Sequence, residues 1–188
     1  MIPLYIINNY EMKHPAVFAI FLFLMTSCSN ELAFKDQAFQ KTTTIPCKEN
    51  CSEITKKMSV AKNYPIVADS INKKVFSVLK EIVYFGEKPY TSTDYNGLLA
   101  SFIDSYEKLQ KEFPNDTFGW EAKIMGSVKY QSESVLNIEI NHYTYTGGAH
   151  GYQGLRSLLF DPITEKSIPN AELFHDKNTF MAFAEKKI

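Results

Sequence analysis

The sequence predicts an α+β fold: a small antiparallel sheet with two packed helices, followed by the start of a second α+β part. Two stretches with apolar residues at helical spacing, 66–85 and 95–113, and a switch to strict alternation from Trp120 onward carry that prediction. With 188 residues, of which 45% are hydrophobic and 22% charged, the chain has material for one or two small domains and lies outside the disordered and collagen-like classes.

Residues 1–27 read as a lipoprotein signal peptide. Ala16 through Met25 is uninterrupted apolar sequence, well short of the roughly 20 residues a helix needs to cross a bilayer, and so has the character of a signal-peptide h-region. Met12-Lys13-His14 supplies the basic flank, and the polar tract Asn8-Asn9-Tyr10-Glu11 leaves both Met1 and Met12 as candidate starts. Leu24-Met25-Thr26-Ser27-Cys28 resembles a bacterial lipoprotein box, with Met25 where that box prefers Leu, Val or Ile. The resemblance implies that Cys28 is the lipidated N-terminus of the mature chain, held at the outer-membrane or periplasmic face of the envelope. Several acyl chains, at ~0.8 kcal/mol per buried CH₂, anchor far better than one. The competing reading is a simple signal peptide with Cys28 free or removed.

Residues 28–52 read as a tether carrying the Cys47–Cys51 loop. The chain has 3 Cys; once Cys28 is set aside, the remaining even pair in an oxidising compartment is most simply a disulfide. Half a metal site and a redox pair are the alternatives. No second cysteine pair follows, and the nearest histidine beyond the leader is His142.

Residues 53–141 read as an α+β domain. Ile54, Met58 and Val60 share one face of an extended segment, with charged Lys56 between them, and Asn63-Tyr64-Pro65 breaks it. Val67, Ala68, Ile71, Val75, Val78, Leu79, Ile82 and Val83 then form one helix face, with Gly86 standing where a C-terminal cap belongs. A second helix opens at Thr93 or Asp94, carries Leu98, Leu99, Phe102, Ile103 and Tyr106 inward, and stops at Pro114. Trp120, Ala122, Ile124, Gly126, Val128 and Tyr130 alternate with polar partners, Gln131 to Ser134 turns the chain, and Leu136, Ile138, Ile140 and His142 alternate again, an antiparallel hairpin with one buried face.

Residues 142–188 read as a second part. The turn Gly147-Gly148-Ala149-His150-Gly151 leads into an apolar strand, Leu155 to Phe160. Asp161 to Lys166 is a turn by composition, and Asp176 or Asn178 caps a last amphipathic helix with Phe180 and Phe183.

The string Tyr143-Thr144-Tyr145-Thr146-Gly147-Gly148-Ala149-His150-Gly151, with Phe160-Asp161-Pro162, Thr164, Lys166 and Leu173-Phe174 after it, resembles a two-part envelope module. That module accompanies the polysaccharide deacetylase PdaC and forms the extracellular part of the lysozyme-sensing anti-sigma factor RsiV. The match covers roughly Glu53 to Ile188. The combination of leader, cysteine pair and module also resembles Bacteroidetes-type lipoproteins. Glu165 stands where the family usually has Gly in a Thr-Gly-Lys turn. Members of the family continue for several strands beyond the final helix, so the resemblance implies that 142–188 is an incomplete RsiV-like domain and that the chain is C-terminally truncated.

The chemistry is harder to find. Lys+Arg of 20 against Asp+Glu of 21 gives a net charge of -1, which removes the electrostatic basis for nucleic-acid binding. No nucleophile elbow, P-loop or dinucleotide fingerprint is present. His150 in its glycine-rich turn offers an imidazole for ligand binding, metal ligation or proton transfer, or else is hydrogen-bonded to backbone within a tight connection. His142, His150 and Asp161 are the conceivable zinc set for deacetylation, without the Asp and His-x-x-x-His patterns of a deacetylase catalytic domain. Asp161 before Pro162 reads as a turn former, and His175 as a solvated helix start. The reading is therefore a noncatalytic module without cofactor or metal. Its candidate ligand-binding residues are Tyr143, Tyr145, Gly147, Gly148, His150 and Gly151, and its candidate ligands a lysozyme-like protein or cell-wall peptidoglycan. With 11 Tyr the chain suits a contact surface of amphipathic rings. The alternative is an enzyme or enzyme accessory in peptidoglycan deacetylation.

Overall fold

Alternation over Glu53–Lys62 builds a strand whose even-numbered side chains, from Ile54 to Val60, turn to one face and are all buried, Lys56 among them. The computed structural model describes residues 32–47, 50–114 and 118–186. Residues 1–27, read on sequence as a signal peptide, and Cys28 lie outside the described residues. Elements run in the order β1 (Ala33–Thr42), β2 (Glu53–Lys62), α1 (Pro65–Val83), α2 (Tyr95–Glu112), β3 (Glu121–Gln131), β4 (Leu136–Tyr145), β5 (Tyr152–Phe160), a 3₁₀ turn (Asn170–Leu173) and α3 (Lys177–Glu185). The fold is α+β. Among the described residues no helix is long and apolar enough to cross a membrane.

The five-stranded sheet has the order β1-β2-β3-β4-β5. It is mixed where a purely antiparallel sheet was expected: β2 and β3 run parallel, and every other neighbouring pair is antiparallel. The two helices between β2 and β3 explain this, because they carry the chain back to the end where β2 began, as a parallel connection requires.

Pro65 opens α1 at a position where its missing N–H costs nothing. Ala68, Ile71, Val75, Val78, Leu79 and Val83 face inward from it. Asp94 caps α2 by accepting the N–H of Gly97 at 2.8 Å, and Leu98, Leu99, Phe102, Ile103 and Tyr106 are buried from it. Both helices cover one face of the sheet, meeting Ile54, Met58, Ala122, Ile124, Leu136, Ile138 and Ile140 in a single core. Each large side chain so buried contributes roughly 1.5–3 kcal/mol. Trp120 is its aromatic hub, with ring centroids 4.2 Å from Phe85, 5.6 Å from Phe102 and 5.9 Å from Tyr106.

Two boundaries differ from the sequence reading. The segment 28–52 does not serve as a tether throughout, because Ala33–Thr42 is an edge strand paired with β2 along its whole length. Thr43 and Thr44 then dock on α2: both hydroxyls and the Thr44 N–H donate to the Glu107 carboxylate at 2.7–2.9 Å, holding its pKa below the ordinary value, with the Thr44 N–H the largest cause. Nor does the sheet divide between 141 and 142. Strand β4 runs through that point with β3 on one side and β5 on the other, and Leu32 onward forms one compact unit. Its sheet is completed by residues assigned on sequence to the second part.

Asp161 organises the turn after β5, accepting from the N–H groups of Ile163 and Thr164 and from the Thr164 hydroxyl. Glu165 sits there at φ 64, the left-handed region in which glycine is comfortable. Asp176 caps α3 through Asn178 and Thr179. Phe174 stacks on Phe180 at 3.7 Å, while Phe183 remains 59% exposed.

Candidate functional site

Three strands deliver a row of polar side chains to the end of the sheet that carries the disulfide. Glu53 begins β2, Glu121 begins β3 and Tyr145 ends β4, and the register sets Glu53 beside Glu121 and Glu121 beside Tyr145. Neighbouring strands are roughly 4.8 Å apart, so the three stand shoulder to shoulder. Because Ile54 and Ala122 point into the core, this row lies on the opposite, helix-free face. The next row along that face holds Thr55, Lys123, Tyr143 and Gln153. Lys123 hydrogen-bonds and ion-pairs with Glu121, which raises its ammonium pKa, with Glu53 and Tyr143 adding to the effect.

The row is walled by Asn50, Cys51, Phe118, Gly119 and Trp120, which together with it enclose about 550 Å³. Local chemistry fixes that wall. Buried Ser52 accepts the Trp120 N–H on its hydroxyl at 2.5 Å, and the Glu53 N–H donates to the Trp120 carbonyl at 2.9 Å. Asn50 adopts φ 53, and its carbonyl approaches Gly119 so closely that a Cβ there would lie 1.7 Å from it. Cys47 and Cys51 are joined as a disulfide, with Cα atoms 5.6 Å apart.

The glycine-rich hairpin connection borders this pocket. Tyr145 lines it and donates from its hydroxyl to the Gly148 carbonyl at 3.0 Å. Gly147 and Gly148 have φ 103 and 95 with open space where side chains would be, so backbone conformation is what requires glycine there. Gly151 is glycine for a different reason: a Cβ would sit 2.4 Å from the Tyr143 ring, which lies across it. His150 is exposed, with Nδ1 3.3 Å from the Gly151 carbonyl oxygen.

The other histidines do not join it. His142 is 3% exposed on the helix-side face, its ring 5.7 Å from that of Tyr152 and its Nδ1 without a hydrogen-bond partner. Burial lowers its pKa and Arg156 lowers it further. Asp161 lies past the far end of β4, six strand positions or about 20 Å from His142 along the sheet. The three residues conceivable as a zinc set are therefore not brought together, and among the described residues no group of three or more His, Cys, Asp and Glu has metal-binding arrangement. Exposed His175 precedes the α3 cap.

Glu53, Glu121, Lys123 and Phe118 are absent from the sequence-based site. The alternation of Glu53, Glu121 and Lys123 with buried Ile54 and Ala122 was visible, but nothing in either strand alone says that β2 and β3 pair in parallel with these glutamates in register, and Phe118 lies outside both strands.

Residues 45–153 match the family described as deacetylase PdaC, a stretch that runs from the disulfide loop into β5 and includes the pocket. Two solved structures share the fold. A DUF3298 family protein from Pseudomonas aeruginosa PAO1 superposes with a TM-score of 0.60 at 20% identity, covering 83% of this chain and 64% of that one. A DUF3298 family member from Bacteroides fragilis NCTC 9343 gives 0.59 at 18% identity, covering 84% and 70%. The chain thus spans less than two thirds of the Pseudomonas protein. No curated protein matches it significantly.

Proposed function

The chain belongs to the deacetylase PdaC family, and on that premise we propose that it is a lipid-anchored envelope protein whose folded body is a noncatalytic binding module for a cell-wall glycan or a lysozyme-like protein. The observation that carries this reading is the row Glu53, Glu121 and Tyr145 inside a 550 Å³ pocket. Carboxylates accept hydrogen bonds from sugar hydroxyls or from basic side chains, and the faces of Tyr145 and Phe118 offer flat apolar area beside them. The described lining brings two carboxylates and aromatic rings together, groups suited to holding a sugar or a basic side chain.

The anchor rests on the Leu24 to Cys28 box. A role as enzyme or enzyme accessory in peptidoglycan deacetylation is the second reading, favoured by the description of the family. Purified residues 29–188 are to be incubated with insoluble peptidoglycan and, separately, with immobilised lysozyme. Retention without acetate release supports the binding module; metal-dependent acetate release lost in His150→Ala overturns it. Loss of membrane association in Cys28→Ser tests the anchor, and unchanged association contradicts it.

A further inference from the structure

The end of the sheet opposite the disulfide carries the most exposed large hydrophobic side chains among the described residues. Ile66, in the first turn of α1, is 73% exposed, and Ile163, in the turn after β5, is 74% exposed. The two belong to one surface. Ser70, one turn along α1 from Ile66 and on the same side of the helix, donates from its hydroxyl to the Glu165 carbonyl at 3.1 Å, which docks the Ile163 turn against the start of α1. Tyr64, just before α1, and Tyr130, near the end of β3, are exposed at the same end of the sheet. Single exposed apolar residues are ordinary, but an aliphatic pair at one tip accompanied by tyrosines has the composition of a membrane-interface contact.

This end is also where the chain enters the fold from its amino-terminal side. The Gln131 side chain donates to the Leu32 carbonyl at 2.8 Å, and the Ala33 N–H donates to Asn63 Oδ1 at 2.8 Å. The residues that hold the entering chain are thus the sequence neighbours of the two tyrosines, and Leu32 is four positions after Cys28 in sequence. Among the described residues the charges nearest this end balance, Lys35, Lys62 and Lys166 against Glu133, Asp161 and Glu165. Without a cationic excess the surface has no basis for selecting anionic headgroups, which leaves apolar contact to decide the partner.

Resting on the lipid anchor proposed above, we infer that this end is a membrane-contact surface: with Cys28 in the bilayer, Ile66 and Ile163 enter the headgroup–acyl boundary of the same leaflet, and Tyr64 and Tyr130 lie at headgroup level. The contact orients the module. Strand β3 runs from Glu121 in the disulfide-end pocket to Gln131 at the membrane end, so the pocket is held roughly 30 Å from the bilayer and opens away from it.

The test uses the full, lipidated chain in phosphatidylcholine vesicles, with tryptophan placed at either end of the sheet as a depth probe. Flotation of the wild type with the vesicles, lost in Cys28→Ser, reads the anchor by itself. In Ile163→Trp, at an exposed turn position, lipids brominated near the headgroup end of their acyl chains are expected to quench the added emission about twofold, to the same extent with and without phosphatidylglycerol and at low and high salt. Adding Ile66→Ser to Ile163→Trp is expected to reduce the quenching. Phe118→Trp, in the pocket, is expected to escape it, as is Trp120 of the wild type, which is buried. Flotation without quenching at position 163 overturns the membrane contact and leaves the anchor standing, whereas failure to float overturns both. Quenching at position 118 as strong as at 163 overturns the proposal, and so does a blue-shifted probe at 163 that brominated lipid does not reach in a protein that runs as a dimer, which assigns the surface to a second copy of the chain.

Discussion

Replacing Lys56 by methionine is expected to make the protein more stable at neutral pH. Lys56 is fully buried on the helix-side face of β2, with Nζ 3.3 Å from the ring centroid of Tyr95 and 4.8 Å from that of Phe39, and with no hydrogen-bond partner. The rings offset part of the desolvation cost, by about 2 kcal/mol for a desolvated cation–π contact, but burial still pushes the pKa from 10.5 down to about 8. At ~1.36 kcal/mol per pKa unit, carrying the charge into the fold costs about 3 kcal/mol at most. Methionine fills a similar volume without a charge, so Lys56→Met gains about 1–3 kcal/mol at pH 7 and raises the melting temperature by several degrees. The pH dependence has a definite sign. Between about pH 8 and pH 10.5 the unfolded chain keeps the Lys56 proton that the folded chain has released, so wild-type stability climbs with pH through that window, while the methionine variant lacks this rise. The advantage of the variant therefore shrinks as pH rises. Urea denaturation of both proteins at pH 7 and pH 9.5 reads it, staying below the range in which half-buried Tyr90 and Tyr95, whose pKa values burial raises, reverse the trend. A variant less stable than wild type at pH 7, or a gap identical at the two pH values, refutes the reasoning.

Three further substitutions follow from the backbone and the disulfide. Glu165→Gly removes a left-handed residue that costs about 1 kcal/mol, so it is expected to raise the unfolding midpoint slightly; no change in thermal denaturation contradicts the assigned strain. Gly151→Ala drives a methyl into the Tyr143 ring and is expected to destabilise by about 1–3 kcal/mol, with the tyrosine's near-ultraviolet signal altered in the same sample. Cys51→Ser opens the Cys47–Cys51 loop and is expected to cost about 2 kcal/mol by chain entropy, read by chemical denaturation in the absence of reductant.

Helical periodicity placed α1 and α2 with their buried faces nearly residue by residue, and alternation placed β2, β3 and β4. What the sequence hid was pairing. Strand β1 is an edge strand without a fully buried side chain, and its two phenylalanines, Phe34 and Phe39, are an odd number of positions apart and so fall on opposite faces. No apolar stripe announces it. Lys56 followed from the same blindness, since its aromatic surroundings come from that unseen strand and from the first residue of α2. The glycine-rich turn was legible as a site of special backbone, and Tyr145 as a member of the pocket. The glutamates beside it depend on a parallel register set by two intervening helices, which no local pattern encodes.

The central claim is that the disulfide-end pocket is the binding surface of a module without catalytic turnover. Titration of peptidoglycan fragments and of lysozyme into residues 29–188 and into the double variant Glu121→Gln/Tyr145→Ala tests it most directly. Whichever ligand binds the wild type is predicted to lose at least tenfold in affinity for the double variant and to be recovered chemically unchanged. Equal affinity for the two proteins, or acetate released from the glycan by the wild type, contradicts the account.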